Sequence, residues 1–235
     1  MSGALIWVTR TQPGARATAH RLRAMGFDPL VAPLLEVRAL GSDPIDLAGV
    51  GALAFTSANG VAAFAARSGE RSLPVFAVGA ATTAAASAAG FGSVTSADGD
   101  VAALAPAVAA GAPFAGEVLT PGPVEPAGDL VGALAALGVA ARAMAVYETV
   151  SRAPDPPTSA LIPGLAAVLL HSPRAARVLA DHLADHPAPR LTALCLSEAV
   201  AAPLTTSGLA SVRAARQPTE AALLALLSDA GAAAR

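Results

Sequence analysis

The chain repeats itself, and that restricts its folds more than any other feature does. Phe55-Thr56-Ser57-Ala58-Asn59 is answered by Leu170-His171-Ser172-Pro173-Arg174 at an offset of 115 (57 to 172). Val78-Gly79, with an alanine-rich stretch and Gly90 behind it, is answered by Leu196-Ser197 and Gly208 at an offset of 118 (90 to 208). Asp100-Val101-Ala102-Ala103-Leu104 matches Thr219-Glu220-Ala221-Ala222-Leu223 at 119 (100 to 219), and the first unit, closed by Gly26, matches one closed by Gly138 at 112 (26 to 138). Four landmarks at nearly constant spacing describe two copies of one plan.

The plan itself reads as alternating strands and helices. Leu5-Ile6-Trp7-Val8-Thr9-Arg10 is an extended run that stops at Gln12-Pro13-Gly14. A helical pattern from Ala15 to Met25 is closed by Gly26, and Phe27 to Val37 is extended again, which opens a right-handed βαβ unit. Further strands are expected at 52–57, 74–79, 93–96, 117–120, 143–150, 166–172, 191–197 and 211–215. Helices are expected at about 59–67, 81–89, 100–109, 127–137, 173–183, 198–207 and 219–230. This alternation specifies an α/β fold: two similar domains with mainly parallel sheets flanked by helices.

Two stretches look like the joints. Ala143-Met144-Ala145-Val146-Tyr147-Glu148-Thr149-Val150 holds the single tyrosine and runs into Ser151-Arg152-Ala153-Pro154-Asp155-Pro156-Pro157. A strand ending in so many prolines continues neither as helix nor as central sheet, so the chain should leave one folded unit there. Val31-Ala32-Pro33-Leu34-Leu35-Glu36-Val37 also precedes a loop, Gly41-Ser42-Asp43-Pro44, and the two runs align at 112 (36 to 148). They read as a matched pair of connections between two lobes, with the function lying between those lobes.

Composition removes several classes of function. Hydrophobic residues make up 54% and charged residues 14%, which excludes disorder. Net charge is −2 with no basic stripe, so nucleic acid is not an expected partner. All fifteen cations are arginine; without lysine there is no Schiff base, pyridoxal phosphate attachment or P-loop lysine. Cys195 reads as a small apolar core residue, and a lone cysteine suits a reducing compartment. Met1 to Arg10 lacks the basic n-region of a signal peptide, and no apolar run approaches the ~20 residues of a membrane span, so a soluble cytoplasmic protein is expected. Gly49-Val50-Gly51 precedes a strand and lacks a third glycine, so it is no dinucleotide fingerprint. His20, His171, His182 and His186 show no metal-ligand spacing, and no metal site is expected.

What remains is a set of small polar residues at the carboxyl ends of the strands: Thr9 and Arg10, Thr56 and Ser57, Gly79, Thr120, Ser172 and Ser197. Ligands of open parallel sheets bind there, where helix N-termini also point. Two such lobes facing each other would surround a cleft with backbone N–H groups and hydroxyls, an arrangement suited to an anion. Taken singly, each Ser or Thr is equally an N-cap. Tyr147 reads either as an aromatic packing against a lobe or as a phenol at the lobe boundary. A phenol ordinarily has a pKa near ~10, so it keeps its proton at neutral pH and can donate to a leaving oxygen.

Together with Ile6-Trp7-Val8-Thr9-Arg10, Phe76-Ala77-Val78-Gly79-Ala80-Ala81-Thr82, Val146-Tyr147-Glu148-Thr149 and Pro218-Thr219, these motifs resemble the uroporphyrinogen-III synthase family over nearly the whole chain. The resemblance implies two α/β domains joined by a two-stranded β linker. The first would be discontinuous, residues 1–36 with 153–235; the second would be 41–146, with linkers 37–40 and 147–152. It implies a cofactor-free hydro-lyase that takes hydroxymethylbilane, a linear tetrapyrrole with an acetate and a propionate on each ring. The enzyme expels the terminal hydroxyl as water and closes the macrocycle with ring D inverted. By position the resemblance makes Tyr147 the candidate acid, and Thr82, Ser172, Thr56 and Ser57 cleft residues. Asn59, Gly79, Thr9, Arg10, Arg174, Ser197 and Thr219 complete the expected substrate-binding set. A monomer is expected, with the upstream hydroxymethylbilane synthase as a candidate partner and neither nucleic acid nor membrane.

One position departs from the pattern. Where many members carry glycine followed by small hydroxyl residues, this chain has Ser197-Glu198-Ala199-Val200, and a glutamate there would repel substrate carboxylates unless it points away. Two alternatives therefore stay open: a two-lobed cytoplasmic module that binds a small anion, and an inactive copy of the synthase.

Overall fold

The computed structural model describes residues 3–232, with side chains over 3–227. In chain order the strands are β1 (Leu5–Val8), β2 (Asp28–Val31), β3 (Leu35–Ala39), β4 (Val50–Phe55), β5 (Val75–Ala77), β6 (Val94–Ser96), β7 (Glu117–Pro123), β8 (Ala141–Ser151), β9 (Ala167–Leu170), β10 (Thr192–Cys195) and β11 (Ser211–Ala214). The helices are α1 (Gly14–Ala24), α2 (Ala58–Ala65), α3 (Ala80–Ala88), α4 (Val101–Ala110), α5 (Leu130–Ala136), α6 (Pro156–Leu161), α7 (Pro173–Asp185), α8 (Glu198–Ala201) and α9 (Glu220–Ala232). The expected α/β class holds. Among the described residues no helix is long and apolar enough to cross a membrane.

The chain divides into two compact units. One takes the residues up to Glu36 and from Val150 onward; the other is Val37–Thr149. The first unit's sheet runs β2-β1-β9-β10-β11 and the second's runs β3-β8-β7-β4-β5-β6. Apart from β3 and β8, neighbouring strands are parallel, from Trp7 opposite Leu30 to Val75 opposite Val94. At the sheet edge, Leu40 N–H reaches Val146 O at 2.9 Å and Arg152 N–H reaches Leu34 O at 2.9 Å. The number rises along one strand as it falls along the other, so β3 and β8 run antiparallel.

The repeat maps onto these sheets strand for strand. Its offsets pair β1 with β7, β2 with β8, β4 with β9, β5 with β10 and β6 with β11. Read in that correspondence, β2-β1-β9-β10-β11 and β8-β7-β4-β5-β6 are the same order. Each unit is thus assembled from parts of both copies. The first unit joins the opening strands of copy one to the last three of copy two, and the second unit joins the remainder.

Both faces of each sheet are buried, so adjacent strand residues serve different cores. In the first unit Trp7, Val168 and Cys195 pack with Leu179 and Leu183 on one face, while Ile6, Val8, Leu169 and Leu194 pack with Leu22 and Leu223 on the other. In the second, Leu53 and Phe55 meet Phe64 and Phe91, and Ala52 and Ala54 meet Phe76, Leu104 and Leu134. Phe55 and Phe64 stand edge to face with centroids 5.7 Å apart.

Four expectations of local structure are corrected. The single run from Phe27 to Val37 is two strands in different sheets, because Pro33 has no N–H to give to a ladder; β8, its counterpart, continues unbroken for 11 residues. The strand at 117–120 continues through Pro121 and Gly122 to Pro123 on the strength of its pairing with β8, and the helix after it starts only at Leu130. The prolines after β8 do not exclude a helix: Asp155 caps α6 through Thr158 N–H, and Pro156 occupies a first-turn position where no N–H is needed. The helix expected at 198–207 is the short α8 followed by a 3-10 turn at Ala202–Leu204 that contains Pro203.

Candidate functional site

In the second unit the chain leaves β4 towards β5 and β6 on one side and returns as β7 and β8 on the other. A crevice is expected outside the carboxyl ends of β4 and β7, where the order reverses. A groove of about 660 Å³ lies there, lined by Thr56, Thr120, Gly122, Asp129 and Met144 among others. Thr120 donates its hydroxyl to the Arg142 carbonyl at 3.3 Å, and Asp129 accepts the Gly132 N–H at 2.8 Å as the cap of α5.

Beside it, two residues after β4, stands Ser57, whose extended backbone aims its Oγ at the first turn of α2, where it accepts the Gly60 N–H at 3.1 Å. Gly60 also lets the first turn of α2 lie against β7, since a Cβ there would sit 2.7 Å from the Pro121 carbonyl oxygen. The same Ser57 Oγ lies 2.9 Å from the Tyr147 hydroxyl. Tyr147 is only 5% exposed, and its ring belongs to the Phe55 and Leu119 core, so packing fixes where the phenol points. Asn59 stands half-buried in the first turn of α2. At the end of β5, the Gly79 carbonyl accepts the N–H groups of Thr82 and Thr83 at 3.0 Å each, with Thr82 buried in the first turn of α3. Of the residues expected here, Thr56 lines the groove, Ser57 and Tyr147 form a hydroxyl pair, and Gly79 and Thr82 sit at the next strand end.

In the first unit the corresponding reversal lies between β1 and β9. Its occupant was missed by the sequence reading. Glu220, at the start of α9, accepts from Arg10 Nη1 at 3.0 Å and from His171 Nε2 at 2.9 Å; its other oxygen takes the Thr18 hydroxyl, with Arg21 Nη1 at 3.9 Å. Burial alone would raise the Glu220 carboxyl, but the hydrogen bonds from His171 and Thr18 and the charges of His171 and Arg10 outweigh it and bring it to about 2. An ionised carboxylate only accepts, so His171 Nε2 is the donor, and its Nδ1 is buried without a partner among the described residues. No sequence signal could reveal this cluster, because Arg10 and Thr18 lie 210 and 202 residues from Glu220. By the repeat offsets Arg10 stands where copy two has Gly122 (10 to 122), and His171 where copy one has Thr56 (56 to 171). The crevice that is open in one unit is filled by charged side chains in the other.

The remaining expected residues of this unit are at strand ends. Thr9 has no exposed surface and donates to the Leu169 carbonyl at 2.7 Å. Ser172 caps α7 by accepting the Ala175 N–H at 3.2 Å, with Arg174 half-buried in the same turn. Thr219 Oγ1 accepts the Ala222 N–H at 3.2 Å. Ser197 opens α8 with no side-chain cap bond, and Glu198 beside it is exposed. Cys195 is buried, and burial, reinforced by the charge of Glu198, pushes its thiol up to about 12. His182 and His186 stack at 4.4 Å, and no group of three or more potential metal ligands occurs among the described residues.

Against known proteins, the family model described as uroporphyrinogen-III synthase HemD matches residues 16–225. Among solved structures, uroporphyrinogen-III synthetase from Helicobacter pylori is similar at 18% identity with a TM-score of 0.65, covering 97% of this chain and 99% of that one. A mutant uroporphyrinogen III synthase from the extremely thermophilic bacterium Thermus thermophilus is similar at 17% identity with a TM-score of 0.48, covering 97% and 98%. No curated protein sequence matches the chain significantly.

Proposed function

The chain belongs to the uroporphyrinogen-III synthase family, and from that membership we propose how its residues divide the reaction. The protein is a lyase of tetrapyrrole biosynthesis that cyclises hydroxymethylbilane. The observation that carries this reading is the family match along residues 16–225.

Tyr147 is the acid. It gives its proton to the departing hydroxyl, which leaves as water, and as a neutral donor it places no fixed charge beside the cation that forms. Ser57 Oγ, already accepting the Gly60 N–H, keeps its own proton free to donate to the phenolic oxygen across 2.9 Å as negative charge develops there. Loss of the hydroxyl leaves a resonance-stabilised cation; once ring D has bonded to it, the proton released from that ring restores the phenol, so only water leaves and no second acid or base is needed. The demanding task is to decide which carbon of ring D closes the macrocycle. Orientation in a bound state is worth up to roughly 7–11 kcal/mol in favourable cases, enough to make that decision.

The substrate carboxylates rest on first-turn N–H groups and hydroxyls. In the second unit these come from Thr56, Ser57, Asn59, Gly79 and Thr82, and in the first from Ser172, Ser197 and Thr219, with Arg10 and Arg174 supplying charge. Thr9, its proton committed to Leu169, braces the end of β1. The protein acts as a cytoplasmic monomer without metal or cofactor, on substrate released by hydroxymethylbilane synthase. The decisive test supplies fresh hydroxymethylbilane and separates the isomers after oxidation. Type III product is expected, and type I alone would reject the reading.

A further inference from the structure

Arg10 is pinned at one nitrogen by a carboxylate that is itself pinned. Glu220 is held by His171 and Thr18 as well as Arg10, so it cannot follow the arginine if the arginine moves. The guanidinium also lies against Gly14, the first residue of α1: a Cβ there would fall 2.3 Å from Nε, 2.5 Å from Cζ and 2.6 Å from Nη2. Arg10 remains 35% exposed, and its Nε and Nη2 donors have no partner among the described residues. A long flexible side chain has thus lost its freedom in advance while keeping donors to offer, which reduces the ordering cost of binding an anion.

We propose that Glu220 is a positioning residue for substrate binding: with Gly14 leaving the space, it sets the Arg10 guanidinium where it receives a carboxylate of the linear tetrapyrrole. This rests on the functional reading above. The competing account makes Glu220 a mere neutraliser of Arg10, and the two differ in sign. Hydroxymethylbilane is a polyanion, so removing a neutralising charge would strengthen its binding, whereas removing a positioning contact weakens it.

The experiment compares Glu220→Gln, Arg10→Ala, their combination and Gly14→Ala by steady-state kinetics on hydroxymethylbilane, with thermal melting alongside. Arg10→Ala is expected to raise KM about tenfold. Glu220→Gln is expected to raise it several-fold with kcat within about twofold. The combination should be no worse than Arg10→Ala alone, because both changes remove one interaction. Gly14→Ala displaces the guanidinium directly while every charge is kept. KM should rise, and the helix preference of alanine offsets part of the stability lost with the Arg10–Glu220 contact. A lower KM for Glu220→Gln, multiplying effects in the double variant, or an unaltered KM for Gly14→Ala would each overturn the proposal. If Glu220→Gln fails to fold, Glu220→Asp decides, because it keeps the charge and withdraws the contact: a raised KM supports positioning and an unchanged KM overturns it. A wild type that yields only the type I isomer overturns the functional reading itself, a failure visible before any variant is made.

Discussion

Ser57 Oγ and Tyr147 OH stand 2.9 Å apart, joining the end of β4 to the middle of β8 across 90 residues of sequence. Because the serine already caps α2, this pair ties a proton donor to a helix start that cannot drift.

If Tyr147 is the acid, Tyr147→Phe should lower kcat by about a hundredfold, a typical cost of losing a positioned general acid. Type III should remain the product, since orientation does not depend on the phenol. Ser57→Ala should cost about 1 kcal/mol of stability through the lost cap and lower kcat less than Tyr147→Phe does. A near-normal rate for Tyr147→Phe would reduce the residue to a packing role.

Thr56→Val keeps the shape of the groove wall and removes its hydroxyl. The expected outcome is a several-fold higher KM and a larger share of type I isomer, read by chromatography of the oxidised products. The folded state should be little affected, because Thr56 makes no side-chain bond of its own to the protein among the described residues.

Glu220 makes stability depend on acidity. Its folded carboxyl lies at about 2 against an ordinary 4.5, so its contribution is fully present above pH 4.5 and is lost as pH falls towards 2. With the side chain 16% exposed, the contribution reaches about 3 kcal/mol. Melting curves of wild type and Glu220→Gln should therefore differ at pH 6, still differ at pH 3, and converge only below about pH 2.

Cys195 should resist thiol reagents in the native state. Its proton is held up to about 12 by burial, so almost no thiolate exists at pH 8 and no surface admits the reagent. Labelling is expected only after denaturant is added; rapid labelling of folded protein would mean that β10 opens.

Much of this was legible from local chemistry. Ser57, Asp100 and Ser172 announce their helices because a small acceptor at an N-cap satisfies N–H groups two or three residues on, a relation contained within one turn. The repeat was legible because equal strands need equal patterns. The exchange of strands between units was not, since a parallel strand carries no mark of which neighbour it will join. Glu220 escaped for the same reason: it looks like an ordinary first-turn acid, and only the three-dimensional meeting of β1, α1 and β9 gives it partners. Pro33 and Pro156 show the opposite limit, where one residue type ends a ladder in one place and starts a helix in another.

The mixed parentage of the two sheets also governs the order in which the protein can be made. A ribosome delivers Val37–Thr149 in one piece, so that unit can close as soon as it emerges. β1 and β2 are synthesised first yet must wait, half a sheet without its flank, until β9 follows some 160 residues later, as the Thr9–Leu169 bond records.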